Sequence, residues 1–481
     1  MIKQLNNSAV ERVHRVVKIL QFGEGNFLRA FADWILDVAN EKGVIDMGVA
    51  IVKPRQGKSV VVENMRKQDN LYHVVLEGIS AGVPTVETRL ITVVEDAFTP
   101  DDSTSYEKYI LSPDLRFVIS NTTEAGIRMD DDDVLAEIPR TFPGKITNLL
   151  WRRWNYFRGD GSKGLFMICC ELIEDNGCRL RDCVLRHASK AGLPQEFIEW
   201  VERCNWFIDT LVDRIVSGLP EKIGNVQAML GYGDNCIVKG ELYHQWVIGG
   251  DGACRLREEL PLHRAGLNVH FAESVKEFRD KKVRVLNGSH TGMVAMGLLS
   301  GCETVAEAFD NENISRFING MVANEVLPTL GGDRGALRSF ALSILERFRN
   351  PYIRHKLESI ALNSLSKWEA RNFDTVKDFM ANFGRIAGHE VFTFACLLAL
   401  YAPDSGFEPQ DNPGHVALIR SMWNDENPEG TVRAIVCRSG IFIRDFEKEV
   451  PGFCALAARY LREIRFQGIE KALHHFLTQE L

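Results

Sequence analysis

Cysteine pairs at metal-ligand or disulfide spacing are missing from this sequence. Its 11 cysteines are scattered, odd in number, and nowhere separated by two residues. That excludes a zinc or disulfide framework and predicts reduced thiols in a soluble, cytoplasmic protein. Cys169 and Cys170, adjacent at the end of an apolar run, read as small buried hydrophobes. No apolar window approaches the roughly eighteen residues of a membrane span. The N-terminus mixes Lys3, Glu11, Arg12 and His14 with isolated apolar residues, unlike a secretory leader. Positive charge is not in excess either: 57 basic against 65 acidic residues give −8, so no general field attracts nucleic acid or an anionic membrane. Internal repeats, low-complexity linkers and clusters of Cys, His and carboxylate with ligand spacing are all lacking. The aspartates at 130–133 read as a solvated loop, and no metal is expected.

What is present is a chain of 481 residues, 45% apolar, long enough for two or three domains with a well-buried core. Its first half alternates short β-rich runs with helical patterns. Residues 16–22, 48–52, 116–120 and 165–170 are dense in Val, Ile, Leu and Phe and predict buried strands. Between the first two, Phe27, Phe31, Trp34, Ile35 and Val38 recur at helical spacing and predict one helix over 26–42. Strand, helix, strand with continuous apolar strands implies a parallel sheet covered on both faces. Beyond about residue 277 the patterns become long and helical, as at 335–348, 389–401 and 454–465. The fold expected is therefore α/β: a doubly wound parallel-sheet domain over 1–277, then a mainly α-helical domain over 278–481.

Directly after the first strand, which ends at Phe22, comes Gly23-Glu24-Gly25-Asn26-Phe27-Leu28-Arg29-Ala30. The first glycine permits a tight turn, the second lets backbone approach a pyrophosphate, and the following helix aims its first amides at the anion. The third glycine of the dinucleotide fingerprint is Leu28 here, so an ordinary strand–helix turn stays open as the other reading. A ribose-binding acid should end the second strand, but Lys53-Pro54-Arg55 stands there, two cations suited to a 2′-phosphate. The polar end of the 116–120 strand, with Asn121 and Glu124, is placed either to meet the nicotinamide side of a cofactor or to serve as a capping turn.

The segment 281–290 opens the helical domain. At ~100° per residue, Lys282, His290 and Asn287 point at about 0°, 80° and 140°, so one side offers an ammonium, an imidazole and an amide. Desolvated lysines exchange protons near neutrality, and an amide can donate to a developing alkoxide. A surface lysine with an incidental Asn and His has the same spacing.

Lys282, Asn287 and His290 match a Lys, an Asn five positions on and a His three further. Val212-Asp213-Arg214-Ile215, with Phe207 and Thr210 upstream, matches a second signature, from which Asn205 departs. Gly23, Gly25, Phe27, Arg29 and Ala30 match a third, GxGxFxRA. On these motifs the sequence resembles the polyol-specific long-chain dehydrogenases, or mannitol dehydrogenase family, over nearly the whole chain. The runs at 21–31, 120–126, 243–248 and 282–291 look like the branch acting on open-chain sugar acids.

The resemblance implies a Rossmann-type N-terminal domain, a helical C-terminal domain, and zinc-free oxidoreduction with NAD(H). Lys282 would be general acid and base, Asn287 and Asn176 would hold the oxyanion, and His290 would orient substrate and lysine. Val212 and Asp213 would line the site. Phe22, Gly23, Gly25, Asn26, Phe27, Lys53, Asn121 and Glu124 would meet the cofactor. Lys367 matches a substrate-contacting lysine, but Ser359 stands where polyol-oxidising relatives carry an arginine. Arg371, four residues after Lys367, shares its face if the stretch is helical and suits a carboxylate; an ion pair with Glu369 or Asp374 is the alternative. The expected partner is a small sugar acid, with the chain a monomer or weak dimer. A sister enzyme acting on another hexuronic acid or a polyol, and a catalytically silent dinucleotide sensor, are the rival functions.

Overall fold

Strands without polar alternation need cover on both faces, and in the computed structural model they form the middle of an eight-stranded sheet. The structure describes residues 3–80, 83–122, 126–129, 138–220, 222–350, 352 and 354–479. The chain divides into two compact units, Met1–Lys276 and Glu277–Leu481.

In the first unit the strands are β1 (Val17–Phe22), β2 (Gly48–Val52), β3 (Val94–Phe98), β4 (Phe117–Ser120), β5 (Phe166–Cys169), β6 (Trp206–Asp213), β7 (Gln245–Gly249) and β8 (Val269–Phe271). Their spatial order is β3-β2-β1-β4-β5-β6-β7-β8. Every pair from β3 through β6 is parallel; β7 runs antiparallel to β6, and β8 parallel to β7. The first six strands have the doubly wound Rossmann order, which reverses between β1 and β4. Alternate residues feed two separate cores. Ile19, Ile51, Ile119 and Ile168 pack on one face, while Leu20, Val52, Val118 and Met167 pack on the other. Cys169 and Cys170 are fully buried in these layers.

The expected helix over 26–42 is two: α1 (Asn26–Ala30) and α2 (Ala32–Glu41), broken at Phe31. The Phe31 ring stacks on Phe27 at 5.0 Å and packs on Trp246 at 5.3 Å, which draws this residue into the core. A second, four-stranded sheet was not anticipated; it orders Val216–Gly218, Val238–Glu241, Tyr72–Ser80 and Val83–Ile91 side by side.

The second unit is helical in its described residues, apart from an isolated bridge between Thr304 and Lys356. The patterns at 335–348, 389–401 and 454–465 correspond to Arg334–Phe348, Gly388–Leu400 and Phe453–Gln467. Trp368 centres the core, ringed by Phe373, Phe394, Phe446 and Phe453, with its indole N–H donating to Thr393 Oγ1 at 2.9 Å. No helix of the described residues is long and apolar enough to cross a membrane.

Candidate active site

The sheet reverses at the C-terminal ends of β1 and β4, and the glycine turn and Asn121 stand there. Gly23 has φ +141°, a conformation that side-chain-bearing residues avoid. A Cβ there would also lie 2.9 Å from Leu28 Cδ1 and 3.3 Å from the Asn121 carbonyl. Leu28, which replaces the third glycine of the fingerprint, therefore closes the turn from beneath by packing on the first. Gly25 faces open space, since nothing lies within 4 Å of a Cβ built on it. It is the N-cap of α1 and supplies no side-chain cap, so the first amides of α1 are left for an anion.

Buried Arg29 shapes the turn from below, donating to the Glu24 carbonyl (3.0 Å), the Cys236 carbonyl (2.6 Å) and Asn26 Oδ1 (2.8 Å). Gln21 donates to the Gly23 carbonyl at 3.1 Å and to Asp33, which also accepts from the Tyr72 hydroxyl at 2.7 Å. Burial pushes the Asp33 carboxyl up to about 7 against those hydrogen bonds. These residues fit a dinucleotide: an open glycine cradle, uncapped amides and a turn fixed by a buried cation. Phe27 lies half-buried over Phe31, whereas the Phe22 ring is fully buried against Phe142 at 5.2 Å, so only its backbone belongs to the turn.

Lys53, half-buried, directly follows β2. Its ammonium donates to the carbonyls of Lys58 (2.8 Å), Gly57 (3.2 Å) and Gln56 (3.4 Å), pinning its own loop, while Arg55 is exposed. Asn121 gives its amide to the Cys170 carbonyl at 2.6 Å. Ser120 and Thr122 both donate to buried Glu171, whose carboxyl burial raises. Glu124 and the aspartates at 130–133 lie outside the described residues.

Asn176 begins α3 (Asn176–Lys190) and is buried. Its Nδ2 lies 3.0 Å from the carbonyls of Cys169, Glu171 and Thr210, and its Oδ1 accepts from the amides of Thr210 and Gly177. Both amide hydrogens are thus committed to backbone, and the expected contact with an oxyanion would require one to be given up. In this structure Asn176 is a strut between β5 and β6. Val212 and Asp213 end β6, both buried. The neighbouring Arg214 clamps the carbonyls of Ala30, Tyr243 and Leu242 and lies 4.4 Å over the Trp34 ring, which gives the second signature a packing role.

In the second unit the predicted catalytic helix takes a different form. Lys282–Gly288 is a π-helix, and α4 (Ser289–Leu299) continues it. Bonding from i to i+5 widens the turn, so a residue five positions on sits near the one below it, instead of ~140° round as at α-helical spacing. Lys282 and Asn287 are consequently closer in direction than the sequence spacing implied. Arg284 anchors the π-helix by donating to Asp378 (2.6 Å) and Thr329 (3.2 Å).

His290 is buried, with its ring 4.4 Å from Phe348 and 5.3 Å from His355. Burial, with His355, Arg347 and Arg371 nearby, holds it well below the usual imidazole range, so it is neutral. Thr291 Oγ1 donates to the Asn287 carbonyl at 2.8 Å and accepts from Arg371 Nη1 at 3.2 Å.

Lys367 and Arg371 lie on α5 (Ser364–Arg371), one turn apart. Lys367 donates to the Ile360 carbonyl at 3.0 Å, ending the helix below. The alternative partners of Arg371 are bonded to Arg444: its backbone N–H donates to Glu369 (2.8 Å) and its Nη1 to Asp374 (2.7 Å). The structure thus places Arg371 beside Thr291, next to His290 and one bond from the Asn287 carbonyl, with Lys282 at the start of the same π-helical segment. Asn372, which bonds to the Gly288 carbonyl at 3.1 Å, was missed, because an Asn between two helical patterns looks like an ordinary cap. Among the described residues, no three His, Cys, Asp or Glu side chains are grouped to hold a metal ion.

Residues 17–260 match the mannitol dehydrogenase Rossmann domain and residues 274–405 the mannitol dehydrogenase C-terminal domain. The chain belongs to the mannitol dehydrogenase family. Similar relatives in this family include altronate oxidoreductase of Bacillus subtilis, 39% identical with 96% of this chain and 95% of that protein covered. Altronate oxidoreductase of Bacteroides thetaiotaomicron is 35% identical, with 97% and 98% covered. Among solved structures, a substrate-free D-sorbitol dehydrogenase superposes with a TM-score of 0.82 at 22% identity, covering 98% of this chain and 100% of that one. The Pseudomonas fluorescens mannitol 2-dehydrogenase, a ternary complex with NAD and D-mannitol, gives 0.73 at 21% identity, with 99% of each chain covered. At such identity these two likenesses concern the family fold alone.

Proposed function

We propose that this protein is an NAD(H)-dependent oxidoreductase that interconverts D-tagaturonate and D-altronate without a metal, Lys282 acting as general acid and base. The observation that carries this reading is the position of Arg371. It is hydrogen-bonded through Thr291 to the helix bearing Lys282, Asn287 and His290, so a cation suited to a carboxylate adjoins groups suited to a carbonyl. The names of the near-full-length relatives support the same substrate.

The nicotinamide supplies or accepts the hydride when bound. In reduction, Lys282 gives its proton to the oxygen of the ketone as that oxygen gains charge, and takes it back in oxidation. Asn287 donates a hydrogen bond to the same oxygen. Neutral His290 orients the substrate hydroxyls, and Arg371, with Lys367 one turn away, meets the carboxylate. In the first unit Asn176 fixes the ends of β5 and β6, the latter closing on Val212 and Asp213. Gly23, Gly25, Asn26, Phe27 and Asn121 cradle the cofactor. The alkoxide charge is met by an ammonium and an amide, so the chemistry needs no Lewis acid.

NAD(H) is favoured over NADP(H) because the Lys53 ammonium is bound to carbonyls of its own loop. The test is a steady-state assay of tagaturonate, fructuronate, fructose and mannitol with each nicotinamide. The expected outcome is highest kcat/KM for tagaturonate with NADH. Preference for fructuronate or a polyol would assign a sister activity of the family, and preference for NADPH would return Lys53 and Arg55 to the 2′-phosphate.

A further inference from the structure

Asn372 stands between α5 and α6 (Phe373–Phe383), a junction where asparagine ordinarily caps the helix that follows. It makes no such cap. Its side chain is fully buried and turns the other way: Nδ2 donates to the Gly288 carbonyl at 3.1 Å and to Glu390 Oε2 at 2.8 Å. Gly288 is the last residue of the π-helix, where bonding changes from i+5 to i+4 and the backbone ladder changes step. A Cβ at Gly288 would stand 3.3 Å from the Arg371 carbonyl and 3.5 Å from Asn372 Nδ2, so the glycine allows this close approach.

The partner of Asn372 is itself fixed. Glu390, buried, lies in the first turn of α7 (Gly388–Leu400). Glu325, also buried, accepts from the backbone amides of His389 (2.8 Å) and Glu390 (3.0 Å) and bonds with His389 Nδ1 at 2.9 Å. A polar chain therefore runs from α7 through Glu390 and Asn372 to the end of the segment that carries Lys282 and Asn287. Each link is buried, where hydrogen bonds are strong and unmade ones costly.

We propose that Asn372, held by Glu390, is a positioning residue that fixes the junction of the π-helix with α4 and so keeps Lys282 and Asn287 directed together at the substrate oxygen. This rests on Lys282 being the acid–base group. Burial, with Glu325 close by, pushes Glu390 to about 8 against its hydrogen bond from Asn372, so glutamine is its neutral counterpart and alanine its deletion.

The experiment compares full-length N372A, E390Q, E390A and K282A, each first checked for folding by circular dichroism and thermal melting. For N372A and E390A the expected loss is about 10- to 100-fold in kcat on tagaturonate, the scale of a catalytic group displaced by about an ångström. Their KM for tagaturonate and Kd for NADH should stay near wild-type, and the pH profile of kcat should move. E390Q, which keeps an acceptor for Asn372, should retain kcat and the pH profile. If N372A does not fold, E390A against E390Q carries the same comparison. Wild-type kcat and pH profile in N372A and E390A, beside an inactive K282A, would overturn the positioning role alone. An active K282A would remove the acid–base reading beneath it. A lowered melting temperature with kcat and pH profile unchanged would mark Asn372 as merely structural.

Discussion

Lys282→Ala is expected to lower turnover of tagaturonate by about 10²–10⁴-fold, the usual contribution of a general acid–base group. Binding of NADH should change little, since no residue of the glycine turn is touched. The size of the effect follows from the other groups of the motif. His290, the other ionisable group of the motif, is held neutral by burial and neighbouring cations, so it has no proton to give near neutrality. Asn287 can donate a hydrogen bond but cannot exchange a proton. Under the proposed function, proton delivery therefore falls to Lys282. A K282A variant that keeps more than about a tenth of wild-type turnover would take Lys282 out of the mechanism.

Arg371→Ala should raise KM for tagaturonate while leaving that for NADH unchanged. Loss of a charge-assisted hydrogen bond costs roughly 1.5–3 kcal/mol, or about ten- to a hundredfold in affinity. R371K should recover part of the loss, because an ammonium keeps the charge but not the planar fork that meets both carboxylate oxygens. His244 offers no replacement cation: burial, with Arg214 nearby, lowers it to about 4, and its Nε2 accepts from the Asn268 amide at 3.1 Å. A substrate without a carboxylate serves as the control, since its KM should not respond. An unchanged KM for tagaturonate would assign Arg371 to holding Thr291 and the helix beneath it, with the carboxylate met elsewhere.

Although β3 and β6 were not among the strands expected, the doubly wound parallel class was legible because β1, β2, β4 and β5 carry runs of apolar residues, which two-sided burial explains. The hairpin Tyr72–Ser80 and Val83–Ile91 was not. Its second strand is largely exposed and carries Glu87 and Arg89, so it reads as polar loop although it is rich in β-branched residues. The dinucleotide turn was readable from Gly23 and Gly25 in their place after β1, but not the substitute for the third glycine, because the packing of Leu28 on Gly23 is a contact and not a pattern. The charge of Lys53 was visible in the sequence, and its loop carbonyl partners were not. At Lys282–Gly288 a helix was expected but not its pitch, since one wide π-turn leaves no period to read. The bond from Asn372 to Gly288 joins positions far apart in the chain, and local patterns carry no trace of such contacts.

The most direct measurement uses NADH deuterated at both C4 positions of the nicotinamide, with tagaturonate as substrate and the product examined by NMR and mass spectrometry. The expected result is one deuterium, on the carbon of altronate that carried the ketone, formed in step with loss of NADH absorbance and abolished in K282A. Altronate formed without deuterium, or no oxidation of NADH with tagaturonate present, would contradict the proposed function.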